Sequence, residues 1–236
     1  MNILLYNQRM ITQFKQAAAE AAVDSITNGM IVGLGHGSTA IFALRKIAQL
    51  LNEGKLHDVI GIPCSLQTKQ QATELGIPLT TLEDNPILDI TIDGADEIDS
   101  AMNMIKGGGG AKKKKKIVAQ ASKKCIYIAD ETKYSEYLGE KWAVPVEVMH
   151  FGWRATFGFI ESLGAKVSVR QTEDGSNFLT DQSNLIMDCN FGVMKSPESI
   201  ANALKSRAGV VEHGLFINIA QEIIIAGNQG IRFIRK

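Results

Sequence analysis

Up to Asp130 the chain alternates short apolar runs with helix-like stretches, and this rhythm narrows the fold more than any other feature. Residues 10–26 carry helical periodicity around "AAAEAA". "MIVGLG" (Met30–Gly35) reads as a buried strand, and Ser38 as the N-cap of a helix running to about Asn52. "VIGIP" is a second strand and "LQTKQQATELG" a helix closed by Gly76. "LDITID" (Leu88–Asp93) and "CIYIAD" (Cys125–Asp130) are further strands, with the helix of "KIVAQAS" between them. Strand alternating with helix is the pattern of a parallel sheet with crossover helices. Ligands in such sheets bind beyond the carboxyl ends of the strands.

The rhythm changes after Val144–Pro145. "WRATFGFIESLGA" is a helix closed by Gly164, and "KVSVRQ" alternates as a half-exposed strand. "EDGSN" is a hairpin turn from which "NLIMDCN" pairs back. "SPESIANALKSRAG" has a serine cap, proline at the first helical position, and a stop at Gly209. This predicts a small α+β domain over 146–212. The closing strands "EIIIAG" and "GIRFIRK" are expected to return to a first domain made of 1–145 and 213–236.

A chain of 236 residues, 45% hydrophobic, can bury a substantial core. Acidic and basic residues balance at 25 each, which disfavours nucleic acid as a partner. No apolar run reaches membrane-spanning length and Met1–Tyr6 is too short for a signal peptide, so a cytoplasmic protein away from membranes is expected. Cys64, Cys125 and Cys189 form neither a metal-ligand spacing nor a disulfide framework, which suits a reducing compartment. Cys125 and Cys189 read as plain core residues.

Three motifs carry chemistry. "GLGHGSTA" (Gly33–Ala40) joins a strand to a helix. Its glycines let backbone N–H groups approach an anion, and the helix N-terminus adds about half a positive charge. Ser38 and Thr39 add hydroxyl donors. The dinucleotide fingerprint fits only at Gly33 and Gly35: its third glycine would be Ser38, and Glu53 lies at a helix end rather than a strand end. The P-loop lacks its lysine before Ser38. A small phosphate ester fits better, against the plain alternative of a tight turn with a capping serine.

"DGADEID" (Asp93–Asp99) puts four carboxylates in seven residues directly after a strand. Its spacing resembles a calcium loop, but Glu97 and Ile98 break the ligand alternation and the terminal glutamate is missing. Holding sugar hydroxyls and moving their protons is the other chemical use; an exposed acidic turn is the plain one. "KGGGGA" (Lys106–Ala111) spends four consecutive glycines, which is entropically costly unless backbone must pass close to something. Lys106 could neutralise Asp93 and Asp96 or hold a developing oxyanion. The plain reading is a linker.

These motifs, with "MIKGGGGA", "IVA", "IADETK", "PVEV" and "GVVEHGLF", resemble ribose-5-phosphate isomerase of the A type over nearly the whole chain. The resemblance implies a Rossmann-like α/β domain with a smaller ferredoxin-like lid. It implies an enzyme that interconverts ribose 5-phosphate and ribulose 5-phosphate through an enediolate, without metal, nucleotide or other cofactor. It also implies a cytoplasmic homodimer or homotetramer. By the same resemblance His36, Gly37, Ser38 and Thr39 hold the substrate, with His36 where the family often has threonine. Asp93 and Asp96, with Gly94 and Ala95 between them, bind sugar oxygens and help open the ring. Lys106 stands beside them, Gly107, Gly108 and Gly109 line the site, and Lys133 is a further substrate contact.

One position departs. Where the family has a Leu-Leu-Arg-Glu-Lys segment, this chain has Lys112–Lys116, and the base glutamate falls at Lys115. An ammonium is a poor proton acceptor at neutral pH unless strong burial lowers its pKa by about three units. Cations in the first turns of a helix also oppose its dipole by about 0.3–1 kcal/mol each. Lys112 and Lys113 stand at usually apolar positions, where burying an ammonium is costly. Three readings follow: an altered stretch in an otherwise ordinary isomerase, a sugar-phosphate binder that has lost its base, or lysines that clamp phosphate or an acidic partner. A different enzyme on a related scaffold, acting through a covalent glutamyl intermediate, would have Glu97 as its candidate.

Overall fold

The apolar runs become strands and the amphipathic stretches helices. The computed structural model describes residues 3–108, 112–180 and 182–236. The first half holds α1 (Ile3–Val23), β1 (Ile31–Leu34), α2 (Ala40–Asn52), β2 (Ile60–Pro63), α3 (Leu66–Glu74) and β3 (Leu88–Gly94). Then come β4 (Glu97–Ile98), β5 (Met104–Ile105), α4 (Lys112–Gln120), β6 (Ser122–Asp130) and a 3-10 turn, Glu131–Lys133. The second half holds β7 (Val144–Val148), α5 (Trp153–Ser162), β8 (Lys166–Val169), β9 (Leu185–Asn190) and α6 (Pro197–Ser206). It closes with β10 (Val210–His213), β11 (Leu215–Phe216), β12 (Glu222–Gly227) and β13 (Gly230–Arg235).

The chain forms two units. The first comprises Met1–Ala95, Lys114–Lys133 and Ile219–Lys236; the second comprises Asp96–Lys113 and Tyr134–Asn218. The second contains the expected 146–212 stretch and extends it on both sides. The cause is strand pairing: β4 and β5 pair with each other and β5 with β11, while β7 lies between β9 and β10. Strands of two residues leave no periodicity to read, so β4, β5 and β11 escape a sequence pattern.

In the first unit a six-stranded sheet runs in the order β13-β12-β6-β3-β1-β2. Only β13 is antiparallel, paired along β12. Ala18, Ala19 and Ala22 of α1 and Leu44 and Ile47 of α2 bury themselves in one core with Val32, Ile92 and Ile128 of the strands. Ala22 follows Ala18 and Ala19 by four and three residues, so the alanines fall on one stripe of α1. That helix starts at Ile3, earlier than the residue 10 at which its periodicity becomes legible, because exposed Asn7, Gln8 and Arg9 interrupt the stripe.

Glu222 ties the closing strands to β6. Its carboxylate takes Lys124 Nζ and Arg235 Nε, each at 2.7 Å. Burial opposes its ionisation, but these hydrogen bonds outweigh burial and hold its pKa below the ordinary glutamate value. A lowered folded-state pKa stabilises the fold above the unfolded value and loses that contribution as pH falls through the folded one. Glu222→Gln is therefore expected to lower stability by about 1 kcal/mol at neutral pH, discounted for the exposure of both cations. The difference from the parent should close below about pH 4. Thermal melts of both proteins at several pH values check this.

The second unit contains a four-stranded antiparallel sheet in the order β10-β7-β9-β8. Its elements follow as strand, helix, strand, strand, helix, strand, the ferredoxin-like arrangement. Ile160 of α5 and Leu204 of α6 are fully buried with Val146 and Met187 of the strands. All three cysteines are buried, and none is in a disulfide. Among the described residues no helix is long and apolar enough to cross a membrane.

Candidate active site

The site residues of the first unit gather where β1 and β3 end. Gly35 passes so close to β3 that a Cβ on it would lie 2.5 Å from Asp93 Cα, Asp93 Oδ1 and the Ile92 carbonyl. This approach lets the His36 N–H reach Asp93 Oδ1 at 2.9 Å, and the Gly94 N–H reaches the same oxygen at 2.8 Å. Asp93 is 3% exposed, so a buried carboxylate is matched by two backbone donors at the end of a strand. Gly35→Ala is expected to push the turn off Asp93 and cost about 1–3 kcal/mol of stability. Thermal denaturation of the variant measures the effect.

Gly37 turns the backbone with φ +115°, and α2 then starts at Ala40. Ser38 is not the helix cap expected from the pattern. Thr39 occupies the N-cap position in αR geometry and makes no side-chain cap bond. The Ser38 hydroxyl instead accepts from Lys15 Nζ of α1 at 2.9 Å. Neither hydroxyl of the "ST" pair is consumed by the helix, and a cation is brought to the turn. Lys15 was not legible in the sequence, because one lysine on an alanine-rich helix carries no motif. Thr39 also faces Gly94, where an added Cβ would lie 3.8 Å from Thr39 Cβ. His36 Nδ1 lies 2.9 Å from Ser65 Oγ, which also caps α3 by accepting from the Thr68 N–H at 3.0 Å. The ring thereby tethers the turn to α3. Ala95 is half-buried after β3, and Lys133 is half-buried in the 3-10 turn after β6.

The second unit holds the rest of the acidic motif and the glycine run. Asp96 Oδ2 accepts from the Gly108 N–H at 2.9 Å. A Cβ on Gly108 would sit 3.3 Å from that same oxygen, so only glycine lets the loop lie against the carboxylate without displacement. Lys106 follows β5, is 1% exposed, and places Nζ 5.4 Å from the centre of the Phe216 ring. Its N–H donates to the Gly214 carbonyl at 2.8 Å, which fixes the start of the glycine run. Gly107 is buried. Gly109 lies outside the described residues. Asp96, Gly108, Trp142, Arg170 and Asp188 border a cavity of about 260 Å³.

The remaining acids of "DGADEID" have their own donors, which removes the repulsion that four crowded carboxylates would otherwise suffer. Glu97 is fully buried. It accepts from Ser135 Oγ at 2.7 Å and from the N–H groups of Gly139, Lys141 and Trp142 at 2.9, 3.0 and 3.3 Å. A carboxylate enclosed in this way is not an accessible nucleophile, so the covalent glutamyl reading has no support. Burial pushes the Asp99 carboxyl up, against hydrogen bonds from Asn103 and Ala101. Among the described residues, no group of three or more His, Cys, Asp or Glu side chains converges as a metal-ligand set.

The lysine run forms the start of α4, with no acidic residue in its first turn. Lys115 is 6% exposed and shares the inward face with Val118 and Ala119, three and four residues on. Lys116 is also buried, whereas Lys113 and Lys114 are exposed. Lys113 therefore does not fill an apolar position as expected, and the side chain of Lys112 lies outside the described residues. Lys115, where the resemblance places the base, is thus one of two buried lysines among the described residues of the run. A larger cavity of about 480 Å³ lies along β2 and α4, lined by Ile62, Leu79, Leu82, Ile117 and Val118 among others. It includes Lys114 but none of the expected site residues.

A mostly parallel α/β sheet with a glycine-bearing turn at the carboxyl end of β1, and a ferredoxin-like unit, make this a two-unit α/β protein, and comparison with known proteins narrows its class. The family model of ribose 5-phosphate isomerase A (phosphoriboisomerase A) matches residues 60–230. A protein named ribose-5-phosphate isomerase A from Desulfatibacillum aliphaticivorans is 53% identical, over 92% of this chain and 95% of its own. One of the same name from Chloroflexus aurantiacus is 49% identical, over 93% and 92%. Among solved structures, a D-ribose-5-phosphate isomerase in complex with phospho-erythronic acid superposes with a TM-score of 0.93 at 32% identity, covering 96% of this chain and 99% of that one. The ribose 5-phosphate isomerase of Plasmodium falciparum gives 0.91 at 39% identity, over 95% and 99%. The chain belongs to the ribose 5-phosphate isomerase A family.

Proposed function

We propose that this chain is an aldose–ketose isomerase that interconverts ribose 5-phosphate and ribulose 5-phosphate, a step of the non-oxidative pentose phosphate pathway. The observation that carries the reading is the Gly35–Thr39 turn gripping Asp93, with two hydroxyls that cap no helix and Lys15 at the same turn. Such a turn offers N–H groups, hydroxyls and a cation to a phosphate monoester. The solved relative carrying phospho-erythronic acid supports a phosphorylated sugar as the ligand class.

In this reading Gly37, Ser38, Thr39, Lys15 and Lys133 hold the phosphate end, and His36 keeps the turn in place. Asp93 and Asp96, with Gly94 and Ala95 between them, hold sugar oxygens and shuttle the hydroxyl proton as the ring opens. The C2 proton of the open chain must pass to a basic group, the role that the resemblance gives to position 115, and the resulting enediolate carries negative charge on oxygen. Lys106 stabilises that charge, with Gly107 and Gly108 lining the site beside it. The proton is returned at C1, which completes an isomerisation with no net redox change and no cofactor. The protein would work in the cytoplasm as a homodimer or homotetramer.

Lys115 supports a second reading, a sugar-phosphate binder of impaired catalysis, because it stands where the family's base glutamate falls. Calorimetry tests the binding that both readings share. Ribose 5-phosphate should bind about a hundredfold more tightly than ribose, the worth of one to two charge-assisted hydrogen bonds, and a chelator should leave this unchanged. Equal affinity for the two sugars would overturn the phosphate assignment.

A further inference from the structure

A run of glycines has no side chains with which to anchor itself, so its conformation must be held through its backbone. In the second unit that hold is visible. Arg170 Nη1 donates to the Gly108 carbonyl at 2.7 Å, while the Gly108 N–H donates to Asp96 Oδ2 at 2.9 Å. Arg170 is fixed on its other sides as well. Its Nε donates to Asp188 Oδ2 at 2.8 Å, its Nη2 to Asp188 Oδ1, and its guanidinium lies 6.0 Å from the Phe178 ring centre. Its backbone pairs with Ile186 and Phe178, beside β8 and β9. A rigid sheet, a bidentate ion pair, one residue of the glycine loop and a site carboxylate thus form one connected series.

We infer that Arg170, oriented by Asp188, is a positioning residue for Asp96. It holds Gly108 by its carbonyl, so that the N–H on the other side of the same Cα meets the Asp96 carboxylate in the orientation that sugar binding requires. The planar fork suits this role, because two of its nitrogens, along one edge, are committed to Asp188 and the third points at a carbonyl. A lysine has no such geometry, since its ammonium cannot hold a carboxylate in two places and a carbonyl in a third. The pair is partly exposed, at 18% and 28% for the two side chains, so its worth to global stability is small. Its role lies in the loop. This inference rests on the isomerase reading for the meaning of Asp96, but not for the brace itself.

The test uses the full chain with Arg170→Met, Arg170→Lys and Asp188→Asn. Amide exchange at Gly108 is followed by NMR, ribose 5-phosphate affinity by calorimetry, and the thermal midpoint by circular dichroism. Arg170→Met should speed Gly108 exchange and weaken affinity by about tenfold, the loss of one charge-assisted hydrogen bond. The midpoint should move by only a few degrees. Arg170→Lys should recover little, and Asp188→Asn should fall between. In an Asp96→Asn background Arg170→Met should have much less effect on affinity, because the two act in series. Unchanged Gly108 exchange in Arg170→Met overturns the proposal, as does a lowered midpoint with unchanged affinity. Should Arg170→Met fail to fold, Asp188→Asn decides by the same criteria. If the parent chain binds no ribose 5-phosphate, the isomerase reading falls, and Gly108 exchange still decides the brace.

Discussion

Lys115→Glu is expected to raise the isomerase rate of this chain by about 10²–10⁴-fold, the usual worth of a positioned general base. The reaction takes the C2 proton of the open-chain aldose and returns it to C1. One group on one face of the enediolate can do both, provided that it holds a lone pair at neutral pH. An ammonium has none. Position 115 lies on the inward face of α4 with Val118 and Ala119, so a glutamate there needs no rearrangement of the helix to face inward. A carboxylate near the helix start also suits the dipole that the lysines oppose, by about 0.3–1 kcal/mol. The expected signature is a rise in kcat with KM changed only a few-fold, because the groups proposed to bind substrate are untouched. Equal kcat for parent and variant would mean that another residue moves the proton.

Glu97→Ala is expected to lower stability by about 3–4 kcal/mol. It strands the Ser135 hydroxyl and three backbone N–H groups around a buried void, and each unsatisfied donor costs about 1–3 kcal/mol before water or relaxation recovers part of it. For a chain of this size that is a fall of roughly 10 °C in the thermal midpoint. Glu97→Gln should lose less, since one side-chain oxygen still accepts from Ser135 and Lys141. Melting curves of the three proteins give the answer. An unchanged midpoint in Glu97→Ala would show that the enclosure of this carboxylate does not hold the second unit together.

The parallel sheet was legible because each buried strand announces itself as an apolar run and each helix by its period. The hairpin of β8 and β9 was legible because alternation survives on a sheet with one exposed face. What escaped did so for physical reasons. Two-residue strands have no period, so the second unit's reach to Asp96 could not be read. Ser38 looks like a cap because serine before a helix is the commonest cap, yet Lys15, distant in sequence, takes its hydroxyl. The motif that holds Asp93 and Asp96 stands out by its setting after a strand, and the family resemblance singles out these two acids within it. Their donors, the N–H groups of His36, Gly94 and Gly108, are backbone atoms and so leave no trace in residue type. Arg170 escaped because an arginine at a strand end is ordinary until its partners are seen. The lysine run was conspicuous from the start, but only the helix phase separates inward Lys115 from outward Lys113 and Lys114.

The most direct test of the central claim, a ribose 5-phosphate site whose base position holds lysine, is solvent deuterium exchange followed by NMR. Ribose 5-phosphate is incubated in D₂O with the parent chain, whose mass across Ala111–Ile117 is verified, and in parallel with Lys115→Glu. The sugar phosphate should bind both proteins, and deuterium should enter C1 and C2 about 10²–10⁴-fold more slowly with the parent. Equal exchange rates for the two proteins, or no binding of ribose 5-phosphate by either, would contradict the claim.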